Sequence, residues 1–147
     1  MTMGKDIRIR NEKQFPRVKG ITPQMIKFIA EASRDTYPNE FYARLIAKDG
    51  VICEFSIIRV ISGRTHVIPF THEEPPDLSL EAVGTAHSHP SGNIRPSEAD
   101  LQFFRKMGHT HIIMGYPYTD TSWKAFNSLG EKLDLPVLSP KKKRHYL

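Results

Sequence analysis

Glu81-Ala-Val-Gly-Thr-Ala-His87-Ser-His89-Pro90-Ser-Gly-Asn-Ile-Arg-Pro96-Ser97-Glu-Ala-Asp100-Leu101 is the stretch that decides how the chain reads. Residues 81–89 have the composition of a strand, and residues i and i+2 of a strand point to one side. His87 and His89 can therefore reach the same ion. Pro90 stops the strand, a loop over residues 91–96 follows, and a helix is expected from Glu98. Asp100, on its first turn, offers an oxygen. Two imidazole nitrogens and one carboxylate make three protein ligands, the number typical of a catalytic zinc that leaves its fourth position to water.

Plainer readings stand beside this one. Two histidines on a strand are more often structural than ligating, and Ser97-Glu-Ala-Asp100 before Leu101 is first of all a capping box. The joint pattern, with Pro90 and Pro96 bracketing a loop of fixed length, favours the metal. His109 and His111 repeat the spacing, but no acid at ligand spacing accompanies them, and they read as a helix-to-strand junction. His66, His72 and His145 stand singly.

Around that stretch the pattern predicts the fold. Thr22 can cap a helix with Pro23 in its first position, and Met25, Phe28, Ile29 and Ala32 mark an apolar stripe. Tyr37-Pro38 ends it. Residues 41–48 and Val51–Ile61 read as a hairpin around Asp49-Gly50. Residues 65–70 read as another strand, and 71–80, rich in acid and proline, as a loop. The helix over 98–107, with Leu101, Phe104 and Met107 as its apolar positions, should stop at Gly108. Strands at 111–115 and 123–127, and one at 133–138, complete the chain. A helix, consecutive strands, a helix and more strands predict an α+β domain, a mixed sheet packed between helices.

Composition bounds the rest. A chain of 147 residues, 39% hydrophobic and 25% charged, has the size and balance of one soluble domain. It shows no apolar run of the ~18 residues that a membrane span needs, and no signal-peptide core, so a cytoplasmic location is expected. The one cysteine, Cys53, cannot make an internal disulfide. In the apolar run Val51-Ile-Cys-Glu-Phe55 it reads as a small buried hydrophobe rather than a nucleophile. The net charge of +5 gathers at the ends, from Lys5 to Lys19 and at Lys141-Lys-Lys-Arg144. Residues 1–19, with a short strand at 5–10, and 139–147 read as basic extensions of a domain at 20–138. Basic tails without an aromatic-interleaved groove imply only weak, non-specific contact with nucleic acid.

Residues 87–100 resemble the H-x-H-P-x6-S-x-x-D signature of the JAMM (MPN+, JAB1/MPN/Mov34) zinc metalloproteases, above all their stand-alone prokaryotic and archaeal members. That family carries a glutamate upstream in P-x-E-x-x-G-x-L. Pro38-Asn-Glu40-Phe-Tyr-Ala43-Arg-Leu45 is similar at Pro, Glu and Leu, with Ala43 where the family has Gly. On composition alone Glu73, Glu74, Glu81 and Glu98 are equal candidates for a general base; the resemblance selects Glu40. It implies one Zn2+ per chain on His87, His89 and Asp100, and Glu40 as proton acceptor from a zinc-activated water. Ser97 would be the oxyanion donor. It also implies the same α+β fold and an isopeptidase that cuts after the C-terminal Gly-Gly of ubiquitin or a ubiquitin-like modifier in a conjugate. An extended tail of that kind is best held by strand pairing, with the 71–80 loop as the flap that clamps it.

Three alternatives share parts of the pattern. One is trimming the tail of a ubiquitin-like sulfur carrier, with the same chemistry on another bond. A second is a RadC-like protein associated with DNA repair, which Pro90-Ser-Gly92 and Pro96-Ser97 also resemble. The third is a non-catalytic MPN scaffold, from which such ligands are lost. Glu40 in its setting and the complete ligand set favour the protease.

Overall fold

The computed structural model describes residues 18–61, 64–67 and 80–139. The strand expected at 5–10, the flap at 71–80 (all but Leu80) and the basic termini at 1–17 and 140–147 lie outside the described residues.

Thr22 begins α1 (Pro23–Thr36): its hydroxyl oxygen accepts the Met25 N–H at 3.2 Å, with Pro23 in the first turn. The helix ends before Tyr37-Pro38 because a residue preceding proline is pushed into extended backbone, and Tyr37 has ψ 136°. Its buried face is Met25, Ile26, Ile29, Ala30 and Ser33, rotated from the expected stripe. The difference lies in Phe28, which is half-buried at the edge of the central core and stacks on Phe55 with ring centroids 3.8 Å apart. Ser33 tolerates burial because its hydroxyl donates to the Ile29 carbonyl at 2.6 Å.

The strands are β1 (Gly20–Ile21), β2 (Tyr42–Lys48), β3 (Val51–Ile61), β4 (Arg64–Val67), β5 (Leu80–His89), β6 (Thr110–Gly115), β7 (Trp123–Phe126) and β8 (Lys132–Leu133). β2 and β3 form the expected hairpin. Asp49 and Gly50 have φ of 51° and 83°, the left-handed pair that a two-residue turn between twisted strands requires. The sheet order is β1-β3-β2-β5-β6-β7-β8, with β4 on β3. It is mixed: β1/β3 and β5/β6 run parallel, while β2/β3 and β2/β5 are antiparallel.

The second helix, α2 (Glu98–Lys106), crosses from β5 to β6. It stops where Gly108 takes φ 113°. Alternation along β5 and β6 divides two cores between the faces of the sheet. Ala86, Ile112 and Met114 pack with Ile26 and Ile29 of α1, and Ile113 and Phe126 pack with Phe104 of α2. A sheet covered on both sides explains why Val83–Ser88 is buried without interruption. It also bears out the mixed sheet between helices.

One expected strand is corrected. Lys132–Leu133 pairs with β7, Pro136, which has no N–H to give, interrupts the run, and Val137 makes an isolated bridge to Ile21. The Pro136 carbonyl instead accepts the Ile21 N–H at 2.9 Å, and Leu138 N–H bonds back to the Ile21 carbonyl at 2.8 Å. The segment thereby curls round to β1. Among the described residues, no helix is long and apolar enough to cross a membrane.

Candidate metal centre

The parallel pair β5/β6 ends at His89 opposite Gly115. Its carboxyl end, with the loop that leads to α2, is the usual position for a site in such a unit. His87 and His89 share the α2 face of β5 and bring their Nε2 atoms to 3.0 Å. Asp100 reaches both: Oδ1 lies 3.1 Å from His87 Nε2 and Oδ2 lies 3.1 Å from His89 Nε2.

Ser97-Glu-Ala-Asp100 is a capping box, and the same Asp100 carboxylate faces the two histidines. The Ser97 oxygen accepts the Asp100 N–H at 3.1 Å, and Asp100 Oδ2 accepts the Ser97 N–H at 2.9 Å. The cap that starts α2 also fixes the rotamer that points Asp100 at the histidines. Having accepted, the exposed Ser97 hydroxyl keeps its own proton for donation.

Proton placement tests whether the cluster fits a cation. His89 Nδ1 faces the Asn93 carbonyl, which only accepts, so Nδ1 carries the hydrogen and Nε2 of the neutral ring is a lone pair. That lone pair faces a carboxylate oxygen and a second imidazole nitrogen. Such a convergence is repulsive unless positive charge lies among the atoms. Edges of 3.0 and 3.1 Å approach the ~3.3 Å between ligands of a tetrahedral ion with ~2.0 Å bonds. The residues fit one divalent ion of the zinc type. With protons alone, burial works against the Asp100 charge, but hydrogen bonds from His87 and His89 outweigh it and hold the carboxyl well below its ordinary range. Burial likewise works against a His89 cation, and Asp100 and the Asn93 carbonyl overcome it, so that ring is raised.

Glu40 is the second carboxylate here. A Glu40 carboxylate oxygen and one ring nitrogen each of His87 and His89 lie within 4.8 Å of one another. Asp100 lies 3.1 Å from both rings and is buried, whereas Glu40 is exposed. The distance suits Glu40 to a group bound at the open side.

Two residues that the sequence did not single out build this geometry. Ser88, between the ligands, points the other way; its hydroxyl oxygen accepts the Phe41 N–H at 2.8 Å while its own N–H bonds the Phe41 carbonyl at 3.0 Å. That clamp fixes the residue after Glu40. Tyr42 stacks on the His87 ring, 5.2 Å between centroids and 9° from parallel, and its hydroxyl donates to Glu40 Oε1 at 3.0 Å. Neither residue carried a local signal in the sequence. Ala43, in the position expected to hold glycine, is fully buried opposite Ala86. The small partner accommodates the extra methyl group.

The other candidates fall elsewhere. His111 is fully buried, donates from Nε2 to the Gly108 carbonyl at 3.1 Å and accepts from the Thr85 hydroxyl at 2.7 Å. Phe104 stacks on it at 4.2 Å. His109 precedes β6, so the pair is the expected junction. Cys53 sits towards the β2/β3 turn, away from the Tyr42–His87 end of the sheet. Burial, then Glu54, pushes its thiol up, against the needs of a nucleophile.

His111 gives a pH dependence. Burial lowers its pKa from 6.5 to about 4, against the pull of the Gly108 and Phe104 carbonyls. The unfolded chain therefore binds this proton first, and the contribution of the neutral ring is present above pH ~6.5 and lost as pH falls towards ~4. Urea unfolding of chelated protein between pH 7 and pH 4 should lose up to ~3 kcal/mol more in wild type than in His111→Phe. Identical profiles would rule this out.

With the geometry in hand, comparison with known proteins is direct. The profile of the prokaryotic homologs of the JAB domain matches residues 22–126. The chain belongs to this family. A Haloferax volcanii protein named as a probable metalloprotease is 38% identical over 133 residues, 82% of this chain and 80% of that one. A JAB1/MPN domain protein from Archaeoglobus fulgidus superposes with TM-score 0.67 at 37% identity, over 82% of this chain and 99% of that one. A structure described as JAMM, a metalloprotease-like zinc site in the proteasome and signalosome, superposes with TM-score 0.64 at 35% identity, over 83% and 99%. In this JAB-family chain, the segment before β2, the end of β5 and the start of α2 bring Glu40, His87, His89 and Asp100 together, with Ser97 capping α2 beside them.

Proposed function

We propose that this JAB-family chain is a zinc metallopeptidase that removes ubiquitin-like modifiers by hydrolysis after a C-terminal Gly-Gly. The observation that carries the reading is the convergence of His87, His89 and Asp100 on one point with Glu40 beside it. Its supports are the family, a relative named as a probable metalloprotease and a structural neighbour named for its zinc site. The modifier rests on the JAMM resemblance of residues 38–45 and 87–100.

His87 Nε2, His89 Nε2 and one Asp100 oxygen would hold the zinc. When bound, it would lower the pKa of a bound water towards neutrality and polarise the scissile carbonyl. Glu40 takes a proton from the attacking water and returns it to the departing amine, so one carboxylate serves as base and then acid. Ser97 donates its free hydroxyl proton to the oxyanion; losing such a donor costs about a hundredfold or more in rate. Ser88 and Asn93 keep the strand end and the His89 ring in place. No side chain of the site needs to form a covalent bond to the substrate.

The test is cleavage of ubiquitin-like proteins joined through Gly-Gly to a lysine side chain or in a linear fusion. Release by a cut after the terminal glycine is expected. A chelator should abolish it and added zinc restore it, while thiol alkylation leaves it intact. Cleavage that survives chelation, or no cleavage of any Gly-Gly conjugate by zinc-loaded protein, overturns the reading.

A further inference from the structure

We propose that Tyr42 is a positioning residue that fixes the Glu40 carboxylate beside the metal-ligand pair. The inference rests on the reading of Glu40 as the base and adds what holds that base in register.

Glu40 needs such a device. It lies in irregular backbone between α1 and β2 and is exposed. A free glutamate side chain samples many rotamers, and ordering it costs up to ~1.5–2 kcal/mol. Proton transfer also tolerates little error, since a displacement of ~1 Å can cost about a hundredfold in rate. Among the described residues, the hydrogen bond found for the Glu40 carboxylate is the one from Tyr42, to Oε1 at 3.0 Å. It engages one oxygen and leaves Oε2 for the water.

Tyr42 is itself held on three sides. It is the first residue of β2, with its Cα paired to that of His87 across the ladder. Its ring lies parallel to the His87 imidazole at 5.2 Å, and Phe103 of α2 meets it edge-on at 6.0 Å and 84°. The ring that supports a ligand thus also carries the hydroxyl that steers the base. The separation between base and ligand is then set by one rigid aromatic body.

Tyr42→Phe removes the hydroxyl and keeps the ring stack, so it isolates the steering bond. The test compares wild type, Tyr42→Phe, Glu40→Gln and the double variant on one Gly-Gly-lysine conjugate, with zinc content, melting temperature and crystal structures of wild type and Tyr42→Phe alongside. Tyr42→Phe should keep stoichiometric zinc and its melting temperature, and lose about ten- to a hundredfold in kcat with KM within about twofold. Its Glu40 side chain should spread over several rotamers where wild type shows one. In the Glu40→Gln background the same change should have no further effect, which a general loss of structure would not reproduce. The proposal is overturned if Tyr42→Phe matches wild type or cleaves faster, if it sheds zinc, or if its effect persists in full without Glu40. It is also overturned if Glu40 stays ordered in the variant. The Glu40→Gln arm alone reads failure of the base assignment, through undiminished cleavage.

Discussion

Asp100→Ala is expected to yield a folded protein that holds no stoichiometric zinc and cleaves nothing. The carboxylate does two things in the structure. It completes the ligand triangle, 3.1 Å from each histidine, and it accepts the Ser97 N–H at 2.9 Å. Loss of a cap costs ~1 kcal/mol, small beside the ~5–15 kcal/mol of an ordinary domain, so the fold survives. Loss of a ligand is another matter. Removing a partner that merely orients a ligand costs ~10–100-fold in metal affinity, and removing the ligand itself should cost more. Asp100→Asn, which keeps an acceptor for the cap but loses the charge, separates the two. Elemental analysis with circular dichroism reads the result, and a full zinc complement in Asp100→Ala would exclude Asp100 as a ligand.

Glu40→Gln should behave in the opposite way: zinc and stability intact, cleavage reduced ~10²–10⁴-fold, the usual contribution of a general base. Glu40 is exposed and is proposed as the base rather than as a ligand, so neither the core nor the ion should depend on it. Glutamine preserves shape and can still accept from Tyr42, but it cannot carry a proton. Single-turnover rates on zinc-loaded protein are the measurement. Wild-type cleavage would remove Glu40 from the mechanism and make Glu98, in the first turn of α2, the next carboxylate to test.

Much of this was legible in the chain because it is local. Pro90, Pro96 and the spacing of His87, His89, Ser97 and Asp100 lie within one strand–loop–helix unit, where alternation and capping rules apply directly. Asp49-Gly50 likewise announced its turn. What depends on the assembled sheet was harder to read. The α1 face rotated because Phe28 found Phe55 on another element. The expected strand over 133–138 divided because Val137 bridges to Ile21, more than a hundred residues earlier. Ser88 gave no sign of its role, since its partner Phe41 leads into a strand whose register the sequence does not state. Glu40 was chosen by family likeness; its approach to the histidines follows only from β2 lying beside β5.

The Ser97–Asp100 cap has a thermodynamic consequence. The interaction that nucleates α2 and the one that orients a ligand share a single carboxylate, so helix fraying and ion release are one linked equilibrium. A ligand that binds only the ordered form stabilises it by RT ln(1 + [L]/Kd), ~2.7 kcal/mol at a hundredfold excess over Kd. Unwinding of the first turn of α2 swings Asp100 away from the histidines, and an ion that holds Asp100 there keeps that turn wound. The availability of the ion thereby governs local unfolding at the start of α2, and with it how often a protease meets that segment open.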